Sequence, residues 1–353
     1  MPQTNSEYKN ILIIQTAFLG DIILTTPLII NTKKRFPESR VTVLTTPQGS
    51  QILEGTDEID DIISYDKKGA DRGALPFFSL LKRLREAHFD LCISPHRSFR
   101  TSTLIIGAAI LDSVGFSDAS LSLIYKRRVF RDTSLHEVER CLSLLEPFGV
   151  KGEDINKKPH LAISDSAKKS CAILLSKAGI KQGEPLVAIA PGSVWGTKKW
   201  PAENYAALAD NLMNNSDIKV LLLGAPADRE DGAKIADTCK NKIIDLTGRT
   251  SLKELVATID RCRLLIGNDS APGHIATARG IPVVSIFGPT IPSFGYVPYG
   301  DKVTVLEKDL PCRPCHHHGP PECPEKHFRC MTEISPEEVL RAASQFLPEI
   351  AGL

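Results

Sequence analysis

The sequence predicts an α/β protein with two domains, each built on a parallel sheet with crossover helices. The chain has 353 residues, more than one ordinary core holds and about right for two domains. Short apolar segments alternate with helical patterns in both halves, which is typical of parallel strands joined by helices. A polar, irregular stretch at residues 151–165 separates the two series. These observations indicate two Rossmann-like domains with a cleft between them.

The first domain is predicted to cover residues 1–165. Its strands are short apolar segments bounded by polar or turn-forming residues, and helical patterns fill the gaps between them. The predicted strands are residues 10–14, 41–45, 61–65, 90–94 and 114–116. The predicted helices are residues 22–36, 48–54, 77–88, 104–111 and 135–148.

The same alternation restarts in a second domain, predicted to cover residues 166–332, with a helix at residues 165–178 leading into it. The predicted strands are residues 186–190, 219–223, 243–246, 264–266, 283–287 and 303–306. The predicted helices are residues 202–214, 229–239, 252–259 and 275–279. A last segment, residues 333–353, is predicted to hold one more helix at residues 335–347, because Ser335, Pro336 and Glu338 form a capping-box pattern.

Charge and composition limit the classes of function. The chain has 43 Lys and Arg against 42 Asp and Glu, a formal net charge of +1, so binding to nucleic acid is not expected. The polar amino terminus argues against a signal peptide, and no run approaches the roughly 20 apolar residues of a membrane span. We expect a cytoplasmic protein, at most peripheral to a membrane, whose nine cysteines do not form a disulfide framework.

The loop after the first strand carries Gly20 and Asp21 in the segment A-F-L-G-D-I-I-L-T-T-P. Gly20 is expected to make a tight turn that exposes Asp21 at the start of a helix. The helix dipole alone would lower the pKa of Asp21, and an ionised carboxylate can accept a proton. The alternative is an aspartate that only complements the dipole. One glycine does not make the G-x-G-x-x-G dinucleotide motif, which counts against an NAD enzyme.

The second domain opens with I-A-P-G-S-V-W-G-T-K-K-W-P, which places Ser193, backbone N–H groups and Lys198 just after a strand. Such a set suits a diphosphate. Three residues rather than four separate the glycines, and Lys199 follows Lys198 where a Walker motif has Ser or Thr. ATP hydrolysis of the Walker type is therefore not expected. The alternative is a glycine turn with exposed lysines.

The segment N-D-S-A-P-G-H places Asp269, Ser270 and His274 between two predicted strands, at the start of a short helix. Open α/β sheets bind ligands at the carboxyl ends of their strands, beside helix amino termini. The alternative is a capped turn, because Ser270 or Asp269 can cap the helix. Capping does not require His274, which favours a ligand site.

Basic side chains of the first domain are candidates for contact with an anion. His136 and Arg140 are four residues apart, on one face of a predicted helix. The alternative for this pair is ion pairing with the neighbouring glutamates on the surface. Arg97 and Arg100 lie in the basic segment S-P-H-R-S-F-R, for which the alternative is a solvated surface.

Four cysteines lie within 19 residues near the end of the chain: Cys312, Cys315, Cys323 and Cys330. Four thiolates can hold zinc in a tetrahedron. The spacing is unlike a paired C-x2-C ribbon, so a structural zinc site is an option that the pattern does not favour, and a catalytic metal is favoured less. The alternatives are a loop of reduced cysteines or one stapled locally by a disulfide.

Together, these motifs and their order resemble the lipopolysaccharide heptosyltransferases of glycosyltransferase family 9. The matching segments are F-L-G-D-I-I-L-T-T-P, H-E-V-E-R, P-G-S-V-W-G-T-K-K-W-P and N-D-S-A-P-G-H, and the resemblance spans nearly the whole chain. The cysteine-rich segment leading into I-S-P-E-E-V resembles the tail of the heptosyltransferase II subfamily. The resemblance implies a GT-B fold, in which two Rossmann-like domains face one another across a cleft and the helix of residues 333–353 returns to the first domain.

The resemblance also implies an activity: transfer of L-glycero-D-manno-heptose from ADP-heptose, with inversion, to the lipopolysaccharide inner core, at the second heptose position. Asp21 would be the general base in the acceptor-binding first domain. The acceptor-side candidates are Gly20, Arg97, Arg100, His136 and Arg140. The donor-side candidates in the second domain are Ser193, Lys198, Asp228, Asp269, Ser270, Ala271 and His274. No metal or other cofactor is required, because Lys198 and helix amino termini supply positive potential, and contact with the inner-membrane surface is a further expectation.

Two residues depart from the family pattern. Ala271 replaces the glycine of D-[ST]-G-x-x-H, and Asp228 stands where some relatives have a glutamate on the nucleoside. Within the enzyme class, the alternatives are another sugar nucleotide as donor, or addition of heptose I to Kdo. An alternative from a different class is a non-catalytic protein that binds sugar nucleotides.

Overall fold

A computed structural model describes residues 8–214 and 216–348. The chain divides into two compact units, with the boundary between Ala162 and Ile163. This boundary is close to the one predicted after residue 165. Within the described residues, none of the helices combines the length and the apolar character that a membrane crossing requires.

The first unit contains one sheet of six parallel strands. The strands are β1 (Asn10–Gln15), β2 (Arg40–Thr45), β3 (Asp61–Ser64), β4 (Leu91–Ser94), β5 (Asp112–Phe116) and β6 (Arg127–Val129). Their helices are α1 (Leu19–Leu24), α2 (Thr26–Arg35), α3 (Pro47–Leu53), α4 (Ala74–Glu86), α5 (Phe99–Gly107) and α6 (Glu137–Ser143). The order across the sheet is β3-β2-β1-β4-β5-β6, and every pairing is parallel.

The second unit repeats this plan. Its strands are β7 (Leu186–Ala190), β8 (Lys219–Leu222), β9 (Ile244–Asp245), β10 (Leu264–Asn268), β11 (Val283–Ile286) and β12 (Val303–Leu306). Its helices are α7 (Asp165–Lys177), α8 (Ala202–Asn214), α9 (Arg229–Thr238), α10 (Leu252–Asp260), α11 (Ala271–Ala278), α12 (Arg329–Thr332) and α13 (Pro336–Ser344). The order is β12-β11-β10-β7-β8-β9, again all parallel.

Each sheet has one point where the direction of strand addition reverses. β1 lies between β2 and β4, and β7 lies between β8 and β10. Within each sheet, the loops that follow the two adjacent strands at this point, β1 and β4 or β7 and β10, therefore leave in opposite directions at the carboxyl edge, where α/β sheets bind ligands. The site candidates at Asp21, Ser193, Lys198 and Asp269 all lie in or next to these loops.

The central strands are apolar on both faces because helices cover both faces of each sheet. In β1, all residues after Asn10 are buried, and Leu12 and Ile14 pack with Leu84 and Leu104 from α4 and α5. Burial of each such side chain is worth about 1.5–3 kcal/mol. The strands therefore hold the loops at their carboxyl ends on a rigid base.

The predicted helix at residues 22–36 is two helices, α1 and α2, which meet at Thr25. Pro27 explains the break, because it lacks the N–H group that would continue the helical hydrogen bonds. The hydroxyl of Thr26 donates to the carbonyl of Ile23 at 2.7 Å. The strand β6 was not predicted, since its residues Arg127–Val129 are mostly charged and form only an edge.

The last helix differs from the prediction that residues 333–353 return to the first domain. α13 packs on α8 and β11, and Val339, Ala342 and Ala343 join the core of the second unit. The apolar side chains of α13 fit the core of the second unit. The predicted capping box of Ser335 and Glu338 is confirmed, but a capping box indicates only where a helix begins and not what it packs against. Residues 349–353 lie outside the described part of the chain.

Candidate active site

Asp21 is held in the first turn of α1, directly after β1. The Phe18 N–H group donates to its Oδ2 at 3.1 Å. Thr25 donates its hydroxyl to the Asp21 carbonyl at 2.7 Å and accepts from the Gln15 side chain at 3.1 Å. The predicted tight turn at Gly20 is wrong, because Gly20 is itself an α-helical residue of α1 and the chain turns before it, at residues 16–18.

Burial, with the nearby negative charge of Glu137 as the second cause, raises the pKa of Asp21 from 3.8 to about 7. The hydrogen bond from Phe18 lowers it, but by less. The sequence predicted a lowered pKa from the helix dipole alone. The opposite direction arises because desolvation of a carboxylate outweighs a first-turn dipole. A carboxyl group with this pKa can accept a proton near neutral pH.

Glu137 belongs to a buried ion cluster on α6. Its Oε2 accepts from Arg131 at 2.7 Å and from Arg140 at 3.1 Å. Arg140 is only 2% exposed and also donates to the carbonyl groups of Asp132 and Thr133. The prediction that Arg140 offers a charge to an anionic ligand is therefore not supported, because its guanidinium is committed inside the unit.

His136 is the N-cap of α6 rather than a residue on its face. Its Nδ1 accepts from the Val138 N–H group at 3.2 Å. The predicted shared helix face with Arg140 is therefore wrong. The sequence alone does not distinguish a capping histidine from a helical one, because both precede the same apolar pattern.

Replacement of Glu137 by Gln should shift the acid limb of the pH–rate profile below pH 7. The substitution removes the negative charge that raises the pKa of Asp21 and leaves Arg131 and Arg140 with excess positive charge. Breaking a buried ion pair should also cost about 3–5 kcal/mol of unfolding free energy. The measurements are kcat/KM against pH and urea unfolding. Glu139→Gln is the control, since Glu139 is on the same helix but pairs with Lys157 at 2.7 Å. An acid limb that does not move in E137Q would contradict the assignment of that limb to Asp21.

The loop after β4 lies beside the loop after β1. His96 Nδ1 is 2.6 Å from the Thr101 hydroxyl and 3.3 Å from the Thr16 hydroxyl. Burial, with the positive charge of Lys67 second, lowers the pKa of His96 to about 4, so its ring is neutral at pH 7. Lys67 donates to the Thr16 carbonyl at 2.7 Å. The sequence patterns did not single out Lys67 or His96, for which the available signals were the adjacent lysines after β3 and the segment S-P-H-R.

Arg97 and Arg100 both have partners within the first unit. Arg97 pairs with Asp118 at 2.6 Å, and both side chains are more than 40% exposed. Arg100 donates to the Tyr65 hydroxyl at 2.8 Å. A surface pair of this kind holds only weakly, so its arginine can exchange partner for a ligand anion.

In the second unit, Lys198 and Asp269 form an ion pair at the reversal point of the sheet. Lys198 Nζ lies 2.5 Å from Asp269 Oδ2, and each side chain is 11% exposed. The Thr290 hydroxyl donates to the same oxygen at 2.8 Å. The pairing brings together the two segments that the sequence singled out separately, since one follows β7 and the other follows β10.

Asn268 ties these two loops together. Its Oδ1 accepts from the Trp200 N–H group at 3.1 Å and from the Tyr205 hydroxyl at 2.9 Å, and its Nδ2 donates to the Pro191 carbonyl at 2.7 Å. Asn268 is 2% exposed. Buried amides that satisfy this many bonds fix their neighbours in one arrangement. Lys198 and Asp269 are positioned by this link.

Asp228 lies directly against the glycine turn after β7. A Cβ atom placed on Gly192 would lie 2.3 Å from the Asp228 carboxyl carbon, so a larger residue there would displace the Asp228 carboxyl group. Asp228 is fixed by the Ala225 N–H group, which donates to it at 2.9 Å. Ser193 accepts from the Trp195 N–H group at 3.2 Å. Ser193 therefore lies in the turn after β7 that leads to Lys198, whereas Asp228 follows β8 and lies against that turn. Gly192 is a residue of this site that the sequence patterns did not single out.

The helix α11 begins at Ala271, immediately after the Asp269 loop, and is longer than predicted. Ser270 is its N-cap residue by position, but its side chain makes no capping hydrogen bond and instead donates to the Asn268 carbonyl at 3.3 Å. The alternative interpretation, in which the Ser270 hydroxyl caps this helix, is therefore not supported. His274 is 5% exposed on the buried side of α11.

Comparison with known proteins decides the family. The sequence profile of glycosyltransferase family 9 (heptosyltransferase) matches residues 77–326, which is more than half of the chain. The chain belongs to glycosyltransferase family 9.

Relatives of this family 9 enzyme are similar over nearly their whole length. It is 30% identical over 344 residues to lipopolysaccharide heptosyltransferase 3 of Escherichia coli K12, covering 94% of this chain and 96% of the relative. It is 26% identical over 358 residues to lipopolysaccharide heptosyltransferase 2 of Salmonella typhimurium LT2, covering 96% and 99%. A solved structure, the family 9 glycosyl transferase of Veillonella parvula, has a TM-score of 0.86 at 28% identity, covering 97% and 98%. The predicted family, the enzyme class and the GT-B type of α/β fold are confirmed.

The four tail cysteines of the family 9 enzyme are free thiols. In the described ranges, 8–214 and 216–348, no group of three or more His, Cys, Asp or Glu side chains is arranged to hold a metal ion. Cys330 is buried in the core of the second unit, and Cys315 donates to the Cys312 carbonyl at 3.2 Å. The local disulfide that the spacing left open is therefore not formed among these four cysteines.

Proposed function

We propose that this glycosyltransferase moves L-glycero-D-manno-heptose from ADP-heptose to the inner core of lipopolysaccharide, with inversion at the anomeric carbon. The acceptor oxygen forms a bond to C1 of the heptose, the bond from C1 to the diphosphate oxygen breaks, and the acceptor proton passes to a base. ADP leaves with the electron pair of the broken bond. Such a displacement needs one base for the acceptor and positive potential for the leaving group.

Asp21 is the base in this proposal, and its pKa of about 7 is the observation that carries it. A carboxylate at an ordinary pKa of 3.8 is a weak acceptor for a hydroxyl proton, whereas one near 7 is matched to neutral pH. A raised pKa at a helix that follows the central strand of a parallel sheet is typical of a functional carboxyl group. The neutral His96 and the cationic Lys67 lie on the neighbouring loops of the same unit and suit a polar, anionic acceptor.

The second unit supplies the donor side of the proposal. Lys198 supplies a positive charge beside Asp269, and the helix α11 begins two residues after Asp269. Both favour a diphosphate. Asp269 would contact a heptose hydroxyl, Asp228 would contact the nucleoside, and Ser193, Ser270 and Ala271 would contact the phosphates. Because Lys198 and the helix N–H groups supply the positive potential, the reaction is proposed to need no metal or other cofactor.

The acceptor is proposed to be an inner core that ends in heptose I, which makes this a transferase for the second heptose. The similarity to heptosyltransferase 3 makes an inner core that already carries two heptoses the second candidate. Both acceptors present the phosphate and carboxylate groups for which Arg97, Arg100 and Lys67 are suited. An acceptor in a membrane would bring the enzyme to the inner-membrane surface as a peripheral protein.

The test is a transfer assay on defined acceptors. Purified enzyme is incubated with ADP-heptose and with truncated lipopolysaccharides that end in Kdo, heptose I or heptose II, and the products are weighed by mass spectrometry. We expect one heptose to be added to the heptose I acceptor, with and without a chelator present. A product on the heptose II acceptor alone would replace the first candidate by the second. No transfer to any acceptor, or transfer of another sugar from its nucleotide, would refute the proposed donor and acceptor class.

A further inference from the structure

The loop between β12 and α12, residues 307–328, folds onto the donor-side loops of the second unit; we call it the tail loop. The Cys315 N–H group donates to the Pro289 carbonyl at 3.0 Å, and Arg313 donates to the Thr290 carbonyl at 2.7 Å. Thr290 in turn donates to Asp269. The tail loop is therefore fastened to the residue next to the Lys198–Asp269 pair.

A second set of contacts fastens the tail loop to the turn that carries Lys198. The Thr197 hydroxyl donates to the Pro320 carbonyl at 2.5 Å. A Cβ atom on Gly196 would lie 2.8 Å from the Pro321 carbonyl oxygen, and one on Gly319 would lie 3.4 Å from Lys198 Cγ. At Gly196 the two backbones lie too close for a side chain, and the tail loop packs directly beside Lys198.

His318 is a tail-loop side chain that lies against Trp195, in the turn that leads to Lys198. Its ring is parallel to the Trp195 ring within 10°, with the centroids 6.1 Å apart. Burial, followed by the positive charge of Lys198, lowers the pKa of His318, while Asp269 raises it. His316 and His317 also lower it. The imidazole thus lies within electrostatic reach of both members of the ion pair and is oriented by a flat aromatic neighbour.

We propose that His318 is a second diphosphate-binding group beside Lys198, and that it takes up a proton from solvent when the donor or ADP binds. The inference rests on the proposed function for the identity of the diphosphate. In the free enzyme Lys198 disfavours a second positive charge. A bound diphosphate reverses that balance, because its negative charges favour the imidazolium and the imidazolium donates a charge-assisted hydrogen bond. Binding raises the pKa of His318, so affinity is greatest at low pH and declines as pH rises through the bound-state value.

The experiment is isothermal titration of the full chain with ADP and, separately, with inorganic diphosphate, from pH 6 to pH 8. Each titration is run in two buffers of different ionisation enthalpy, which gives the number of protons taken up. The variants are His318→Asn and His318→Gln. The matched control is His317→Asn, since His317 is the adjacent histidine and packs on Phe294 at 4.9 Å instead. Thermal unfolding of each variant checks that the second unit is folded.

For the wild type and H317N, we expect proton uptake on binding beyond any change in the protonation of the ligand's own phosphate, which titrates in the same range. Both His318 variants should lose that additional uptake and bind about tenfold more weakly at pH 6, with the difference closing toward pH 8. Unchanged proton uptake in the His318 variants would overturn the proposal, whether affinity is unchanged or falls equally at every pH. If the wild type binds inorganic diphosphate in a His318-dependent way but not ADP, the inference stands and the proposed donor fails.

Discussion

Replacement of Asp21 by Asn should lower the rate of heptose transfer by about a thousandfold, within the range typical of a lost general base. The amide keeps the size of the side chain but cannot accept the proton. ADP-heptose affinity should stay within about twofold of the wild type, because the donor contacts proposed here belong to the other unit. The measurements are single-turnover rates and donor titration. A variant that binds donor poorly yet turns over each bound donor at the normal rate would contradict the role of Asp21.

The chain offers a matched control for this variant. Asp165 also occupies the first turn of a helix, α7, but its side chain is 88% exposed. Asp165→Asn should leave transfer unchanged. The comparison separates the loss of a first-turn charge, which both variants share, from the loss of a buried base.

The pH dependence of the wild type follows from the same carboxyl group. In the proposed mechanism the ionised form of Asp21 is the active one, so kcat should fall about tenfold per pH unit below pH 7 and level off above it. The folded-state pKa lies above the ordinary value of 3.8, so ionisation costs stability as pH rises from 3.8 through 7. Above pH 7 that cost is complete. D21N should therefore unfold at a higher temperature than the wild type at pH 8, which shows that its inactivity is not misfolding.

Replacement of Lys198 by Ala should lower kcat/KM by about 10²–10³, with part of the loss in the KM for ADP-heptose. The substitution removes the cation proposed for the diphosphate and leaves Asp269, 11% exposed, as an uncompensated negative charge beside it. Steady-state kinetics and ADP titration measure the two parts. Arginine at this position should restore part of the affinity, because it retains the charge.

Lys199→Ala is the matched control for K198A. Lys199 is adjacent in the chain and also forms an ion pair, with Asp231 at 2.6 Å, but both of those side chains are about one-third exposed. Loss of the Lys199 side chain should change kcat/KM by less than about twofold. Equal effects of the two alanine substitutions would refute a specific role for Lys198.

The sequence was sufficient to predict the two parallel sheets and the loops at their reversal points. Apolar periodicity and the glycine and proline positions are local, and they determine the strands and turns. Motif order was sufficient to select Asp21, Lys198 and Asp269. The close contact between Lys198 and Asp269 was not predicted, because their 71-residue separation is closed only by the strand order that puts β7 beside β10.

The predictions that failed depend on tertiary neighbours. The direction of the Asp21 pKa shift is set by burial and by Glu137, which is 116 residues away in the chain. Arg140 looks like a surface charge in the pattern H-E-V-E-R, yet carbonyl groups and Glu137 enclose it. Lys67 joins the first-unit site only because β3 ends at the same edge as β1 and β4. Such placements follow from the packed sheet and not from the segment that carries the residue.

The carboxyl-terminal residues look dispensable because the candidate donor and acceptor residues end at His274, but their side chains fill the interior of the second unit. Met331, Val339, Ala343 and Leu347 are all fully shielded from solvent there. Trp200, which lies two residues after Lys198, also donates its indole N–H to the Ile334 carbonyl at 3.0 Å. A nascent chain therefore cannot complete the donor-side loops until its last helix has left the ribosome. Premature stop codons anywhere before residue 347 should act as null alleles rather than as mild truncations.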